Sequence, residues 1–277
     1  MYDLTNDFHI AVPTAFYDTE DLNTVATLQH IMHLYGQGVK SVLACGSTGE
    51  QHSLSLAEKL QLLESLDADN SIPDDLEVIF GVASIRQKEA LLLAEKVNAS
   101  PKISGILLGF PPYILPSQKE AKLYVEAIAK VIDKPIILYN NPRRMGFNLE
   151  LDTFAELIKL PNIIGIKEAG DSERIPELIS AAGKKIYVYA GGEIDLDQKI
   201  GLGATRLSSM AGNLYPKEVE LYFLDLLHDR ADKTKNAGIE DKIHNVFAEN
   251  PIFYIKNEIT KQTQIDMGIA RSPLGNQ

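Results

Sequence analysis

One cysteine, Cys45, in 277 residues leaves no partner for an internal disulfide and suits a reducing compartment. As a small apolar side chain it reads as core. Basic residues are scarce as well, since 27 Lys and Arg stand against 38 Asp and Glu and give a formal net charge of -11. Phosphate backbones need clustered cations, so no nucleic-acid partner is expected. No apolar run reaches the ~20 residues of a membrane-spanning helix. The amino terminus, MYDLTNDFHIAVPT, lacks the basic and apolar regions of a signal peptide. No membrane partner and a cytoplasmic location follow as expectations. Low-complexity stretches and repeats longer than one strand-helix unit are absent too. What remains, 45% apolar and 23% charged, is ordinary globular composition with chain enough for one large α/β body.

Short apolar runs alternate with amphipathic stretches. The runs read as buried strands at Phe8 to Pro13, Ser41 to Ala44, Val78 to Val82, Gly105 to Leu108, Pro135 to Tyr139, Ile163 to Lys167, Ile186 to Ala190 and Thr205 to Ser209. Helical periodicity fills the intervals. The first helix, Asp21 to Tyr35, sets Val25, Leu28, Met32 and Tyr35 on one stripe. Capping boxes at Ser55 to Glu58 and Ser117 to Glu120 open two others. Eight βα units within residues 1–225 match a closed (β/α)8 TIM barrel in number and length. An open doubly wound sheet is the alternative. From Pro216 on the pattern is helical only, at Lys217 to His228, Asp232 to Ala248 and Pro251 to Thr263. Residues 226–277 therefore read as an extension of the barrel, in a fold with three C-terminal helices.

Chemistry in such a barrel lies at the carboxyl ends of the strands. Lys167 closes the apolar run IIGIKEAG, where an ammonium is costly unless it is paired, reaches water or loses its proton. It either snorkels out or pairs with a carboxylate such as Glu168, or it is an amine held neutral to attack a carbonyl. At the reference pKa of about 10.4 only on the order of one lysine in a few thousand is neutral at pH 7, so burial must shift it. Strand parity puts Tyr139 and Lys167 at equivalent ends of the fifth and sixth strands. Tyr139 is a proton carrier or a packing residue. After the second strand, Gly46-Ser47-Thr48-Gly49-Glu50 sets two hydroxyls between glycines, a geometry suited to a carboxylate. It lacks the lysine and spacing of a P-loop. Arg144 offers a planar fork to a second carboxylate, with Arg143 beside it as a competitor. Ser208, at the end of the eighth strand, is a further candidate for substrate contact. His30 and His33, three apart on the first helix, read as solvent-facing, and Gly201-Leu202-Gly203 is too isolated for a dinucleotide site.

The motifs GSTGE, PPYILPSQ, YNNP, IIGIKE and NPIFYIK, in this order and over nearly the whole chain, resemble the family of dihydrodipicolinate synthase and N-acetylneuraminate lyase. These are class I aldolases that use pyruvate. The resemblance implies that Lys167 forms the Schiff base with pyruvate and Tyr139 relays protons. It implies that Ser47 and Thr48, with Gly49, occupy the positions that bind the carboxylate and link the hydroxyl relay. Tyr113 looks like the tyrosine lent across a subunit interface, within PPYI where the family pattern is PYYN or PPYY. That role implies a homodimer or homotetramer. No metal or organic cofactor is implied. Arg144 matches the arginine that holds the carboxylate of aspartate semialdehyde in the synthases, and so favours that aldehyde. Gly49-Glu50-Gln51-His52-Ser53 in place of GESAT, and Gly192-Glu193-Ile194 in place of a GDD-like segment, leave lysine inhibition and the aldehyde open. Two alternatives stand beside the synthase: an N-acetylneuraminate lyase-like or 2-keto-3-deoxy-sugar-acid aldolase or dehydratase, and a non-catalytic keto-acid-binding barrel.

Overall fold

The computed structural model describes residues 3–230 and 233–274. Eight parallel strands follow one another in sequence order around a closed barrel: β1 (Phe8–Ala11), β2 (Ser41–Ala44), β3 (Glu77–Val82), β4 (Ile103–Gly109), β5 (Ile136–Asn140), β6 (Ile163–Glu168), β7 (Tyr187–Gly191) and β8 (Arg206–Ser209). The open sheet is thereby excluded. Strands buried on both faces need unbroken apolar runs rather than alternation, and β2, β5 and β6 are buried at every position.

Contacts group the chain into two compact units, Met1–Asp7 with Val78–Ser208 and Phe8–Glu77 with Ser209–Gln277. In the first, β3 to β8 are linked by helices α3 (Gln87–Ala99), α4 (Gln118–Ala129), α5 (Pro142–Met145), α6 (Leu151–Leu157), α7 (Ile175–Ala182) and α8 (Leu196–Gly201). The capping box of α4 forms as expected, and Ala121, Tyr124, Val125 and Ile128 are its buried face. The register pairs Ile137 with Gly165 and Tyr139 with Lys167. Glycine is required at 165, because a Cβ there would lie 2.0 Å from the Tyr187 carbonyl oxygen. The one-turn helix α5 starts where Asn141 caps and Pro142 fixes the first turn.

The second unit holds β1, β2, α1 (Thr24–Gly36), α2 (Leu56–Ala68), α9 (Pro216–Leu227), α10 (Lys233–Phe247) and α11 (Pro251–Thr263). The Ser55–Glu58 capping box opens α2. The expected start of α10, Asp232, lies outside the described residues. The stripe expected for α1 is corrected: Val25 is 62% exposed, and the buried face is Ala26, Thr27, Leu28, His30, Ile31 and Leu34. Its polar members find partners within the fold, though the other ring nitrogen of His30, Nδ1, is buried without one. Thr27 Oγ1 accepts from the Ala15 amide at 2.9 Å, and His30 Nε2 lies 2.9 Å from Asn213 Oδ1. The solvent-facing reading of His30 is overturned with it, since that ring is fully buried while His33 is partly exposed.

Candidate active site

Lys167, the penultimate residue of β6, is 8% exposed, and its Nζ donates to Ser208 Oγ at 2.8 Å. Ser208 lies near the end of β8 and is itself buried. The register sets Lys167 between Tyr139 on β5 and Tyr189 on β7, with its Nζ 5.0 Å from the Tyr139 ring centroid. Burial dominates the amine's electrostatics and holds its pKa below the usual lysine value. The neighbouring Tyr139 and Glu193 oppose that shift, and the Arg144 charge adds to it.

The pairing of Lys167 with Glu168 does not occur. Successive strand residues face opposite ways, and Glu168 accepts from Asn140 Nδ2 at 3.0 and 2.9 Å, from the Gly170 amide at 2.7 Å, and faces Arg174 at 3.6 Å. Its pKa is raised, chiefly by burial. Lys167 has instead a neutral hydroxyl as its hydrogen-bond partner, which offers an ammonium no countercharge.

Two residues that sequence reasoning left unassigned complete this region. Asn141 Nδ2 donates to the Tyr139 hydroxyl at 2.7 Å, while its Oδ1 accepts from the Arg144 amide at 3.3 Å. One side chain thus holds both the phenol and the turn that carries Arg144. The Asn-Pro pair is a helix-start signal that could have marked it. Glu193 follows β7 and is buried, and Lys199 Nζ donates to the carbonyls on either side of it, Gly192 at 3.3 Å and Ile194 at 2.6 Å. Tyr113 is 87% exposed at φ 73°, followed by exposed Ile114 and Leu115.

In the other unit, the segment after β2 folds into a tight turn. The Glu50 amide donates to the Ser47 carbonyl at 3.1 Å and the Gln51 amide to Gly46 at 3.2 Å. Thr48 is buried and Ser47 partly exposed. Gly49 admits no side chain freely: a Cβ would lie 3.1 Å from Thr14 Oγ1, which donates to the Gly49 carbonyl at 2.7 Å. Glu50 is fully buried and pairs with Lys256 of α11 at 2.6 Å. Burial lowers the Lys256 pKa to about 8 against the pull of Glu50. A lysine on the apolar face formed by Ile252, Ile255 and Ile259 was the sequence signal for that pair.

A (β/α)8 barrel that buries an amine of lowered basicity beside a phenol at adjoining strand ends has the equipment of a Schiff-base lyase. The chain belongs to the dihydrodipicolinate synthetase family, whose model matches residues 6–277. It is 34% identical over 254 residues to the 4-hydroxy-tetrahydrodipicolinate synthase of Methanospirillum hungatei, covering 88% of this chain and 82% of that one. The chloride-inhibited dihydrodipicolinate synthase of Acinetobacter baumannii, solved in complex with pyruvate, matches with a TM-score of 0.84 at 28% identity, covering 98% of this chain and 94% of that one. The enzyme from Aquifex aeolicus matches with 0.89 at 24% identity over 98% and 92%, a likeness of fold. The expected family, closed barrel and enzyme class are borne out. Among the described residues no helix is long and apolar enough to cross a membrane.

Proposed function

We propose that the chain condenses pyruvate with aspartate semialdehyde through an imine on Lys167, forming 4-hydroxy-tetrahydrodipicolinate. The observation that carries this reading is the buried Lys167 amine, hydrogen-bonded to a hydroxyl and set beside Tyr139. Its neutral form attacks the keto carbon, the carbinolamine loses water, and the iminium draws electrons so that a methyl proton can leave. The enamine carbon then bonds to the aldehyde carbon, whose oxygen takes up a proton, and the amino group of the semialdehyde adds to the regenerated iminium and displaces Lys167, which closes the ring and frees the amine. Tyr139, whose hydroxyl accepts a hydrogen bond from Asn141, is assigned to the transfer of protons to and from the departing hydroxyl. Ser47 is assigned to the same proton relay. The amides and hydroxyls of Ser47, Thr48 and Gly49 are assigned to the pyruvate carboxylate, and Arg144 to the carboxylate of the semialdehyde.

The synthase named for the Methanospirillum relative and the pyruvate complex of the Acinetobacter enzyme support these substrates. Tyr113 is assigned to a neighbouring subunit's site in a homodimer or homotetramer, a reading supported by the exposed tip Tyr113, Ile114 and Leu115. Residues 1–225 are assigned to the catalytic barrel, 226–277 to its helical extension, and the protein to the cytoplasm. The test is borohydride reduction with pyruvate, followed by mass analysis. The peptide holding Lys167 should gain a permanent adduct that Lys167→Ala lacks; a folded wild type without it overturns the Schiff-base reading. Turnover with N-acetylmannosamine or glyceraldehyde, and none with aspartate semialdehyde, overturns the choice of aldehyde.

A further inference from the structure

The turn assigned to the pyruvate carboxylate is bracketed by Cys45 at φ 55° and Glu50 at φ 53°, two residues with side chains in a left-handed backbone region that disfavours them. Such conformations persist only where the surroundings enforce them. Here the enforcement comes from far along the chain. Lys256 Nζ donates to Glu50 Oε1 at 2.6 Å, and the Arg271 amide donates to Glu50 Oε2 at 2.9 Å. Both carboxylate oxygens are therefore held by the carboxyl-terminal region. The Lys256 ammonium also donates to the Ile269 carbonyl at 2.8 Å, which ties the helix to the segment that follows it.

That segment is itself fixed. Gly268, at φ 61°, passes so close to Phe16 that a Cβ would lie 1.7 Å from the Phe16 carbonyl oxygen. The Phe16 ring lies 4.3 Å from Lys256 Nζ and 4.2 Å from the Arg271 guanidinium carbon. Arg271 donates through Nη1 to the Ser53 carbonyl at 2.9 Å, just past the turn, and through Nη2 to Glu58 of α2. One arginine thus engages Glu50 with its backbone and the exit of the turn with its side chain. A buried ion pair adds little net stability over an apolar pair of the same size, but removing one partner alone leaves a costly unpaired charge.

We propose that Lys256 and Arg271 are positioning residues for pyruvate, acting through Glu50 to hold the Ser47 to Gly49 turn in the conformation that receives the carboxylate. This rests on the assignment of that turn to the carboxylate. Neither residue touches substrate. Their loss weakens capture of the anion and leaves the chemistry at the amine as it was.

The experiment titrates borohydride trapping of the intact protein with pyruvate and, in parallel, with methyl pyruvate, which offers the same keto group without the anionic carboxylate. The paired variant Glu50→Gln/Lys256→Met removes both charges together, so neither is left buried alone. Half-saturating pyruvate should rise tenfold or more, with trapping at saturation within twofold of wild type and half-saturating methyl pyruvate unchanged. Arg271→Gln, at a partly exposed side chain, should give a shift of the same sign, about threefold; it decides the matter if the paired variant does not fold. A purely structural role would move both ketones together. Half-saturating pyruvate within twofold of wild type in every folded variant, or equal loss with the ester, overturns the proposal. A wild type that takes no adduct removes the functional reading and this proposal with it. An adduct in the wild type and unmoved variants remove only the positioning role.

Discussion

Replacing Asn141 separates two functions that one amide performs. Its Nδ2 donates to the Tyr139 hydroxyl at 2.7 Å and its Oδ1 caps the turn of Arg144 at 3.3 Å. A buried neutral hydrogen bond is worth about 1 kcal/mol, and a cap bond this long about 0.5 kcal/mol, the low end of its range. If the first is expressed in the transition state, Asn141→Ala lowers kcat about fivefold, since about 1.4 kcal/mol corresponds to tenfold. The loosened turn should raise KM for aspartate semialdehyde about two- to threefold. Asn141→Asp keeps the cap, but an ionised carboxylate only accepts, so the phenol must turn its proton toward the new side chain. That variant should lose tenfold or more in kcat with KM for the semialdehyde within twofold of wild type. Steady-state turnover with both substrates varied reads the two constants, and a thermal melt checks the fold. Wild-type kcat in Asn141→Asp would refute the reasoning, because Tyr139 would then not depend on the direction of its hydrogen bond.

Other consequences follow from the charges. Lys167 must be neutral to attack, so pyruvate trapping should rise with pH through a pKa that burial holds below 10.5. The Glu193 charge raises that pKa and the Arg144 charge lowers it. Glu193→Gln should therefore move the limb of the trapping profile to lower pH and Arg144→Met to higher pH; shifts of one sign in both would contradict the placement of these charges. His30 has its pKa lowered from 6.5 to about 4, chiefly by burial, with Asn213 opposing. Between those values the unfolded chain binds more protons than the folded one, so stability falls as pH drops from 6.5 toward 4. The drop is about 3 kcal/mol at about 1.36 kcal/mol per unit. Urea midpoints at pH 4.5 and 7 should show it in the wild type and a much smaller difference in His30→Gln.

Strands were legible because a barrel strand is buried on both faces and must be apolar throughout, and β2 runs over the expected Ser41 to Ala44. Helix faces were less so. In α4 the buried positions, Ala121, Tyr124, Val125 and Ile128, are apolar or aromatic, so helical periodicity marks that face. In α1 the buried face includes Thr27 and His30, whose partners Ala15 and Asn213 lie 12 and 183 residues away. A pattern that counts only apolar residues rotates such a helix toward Val25. The same blindness hid the Glu50 pair with Lys256, 206 residues apart.

Lys167 and Lys256 show where composition stops and geometry takes over. Each stands among isoleucines, each is buried, and burial presses on each toward the neutral form. What separates them is the atom at the end of the side chain. Lys256 meets a carboxylate oxygen at 2.6 Å, which stabilises the ammonium and makes the residue a fastener. Lys167 meets a hydroxyl at 2.8 Å, which can accept a hydrogen bond from a neutral amine and carries no charge to hold the proton on it. Burial thus supplies the same pressure in both places, and the charge of the partner decides whether it yields a clamp or a nucleophile. Giving Lys167 a carboxylate partner, as in Ser208→Asp, should convert the one into the other: trapping by pyruvate at neutral pH should fall at least tenfold and recover as pH rises. Trapping equal to wild type across that range would show that the hydroxyl partner is not what frees the amine.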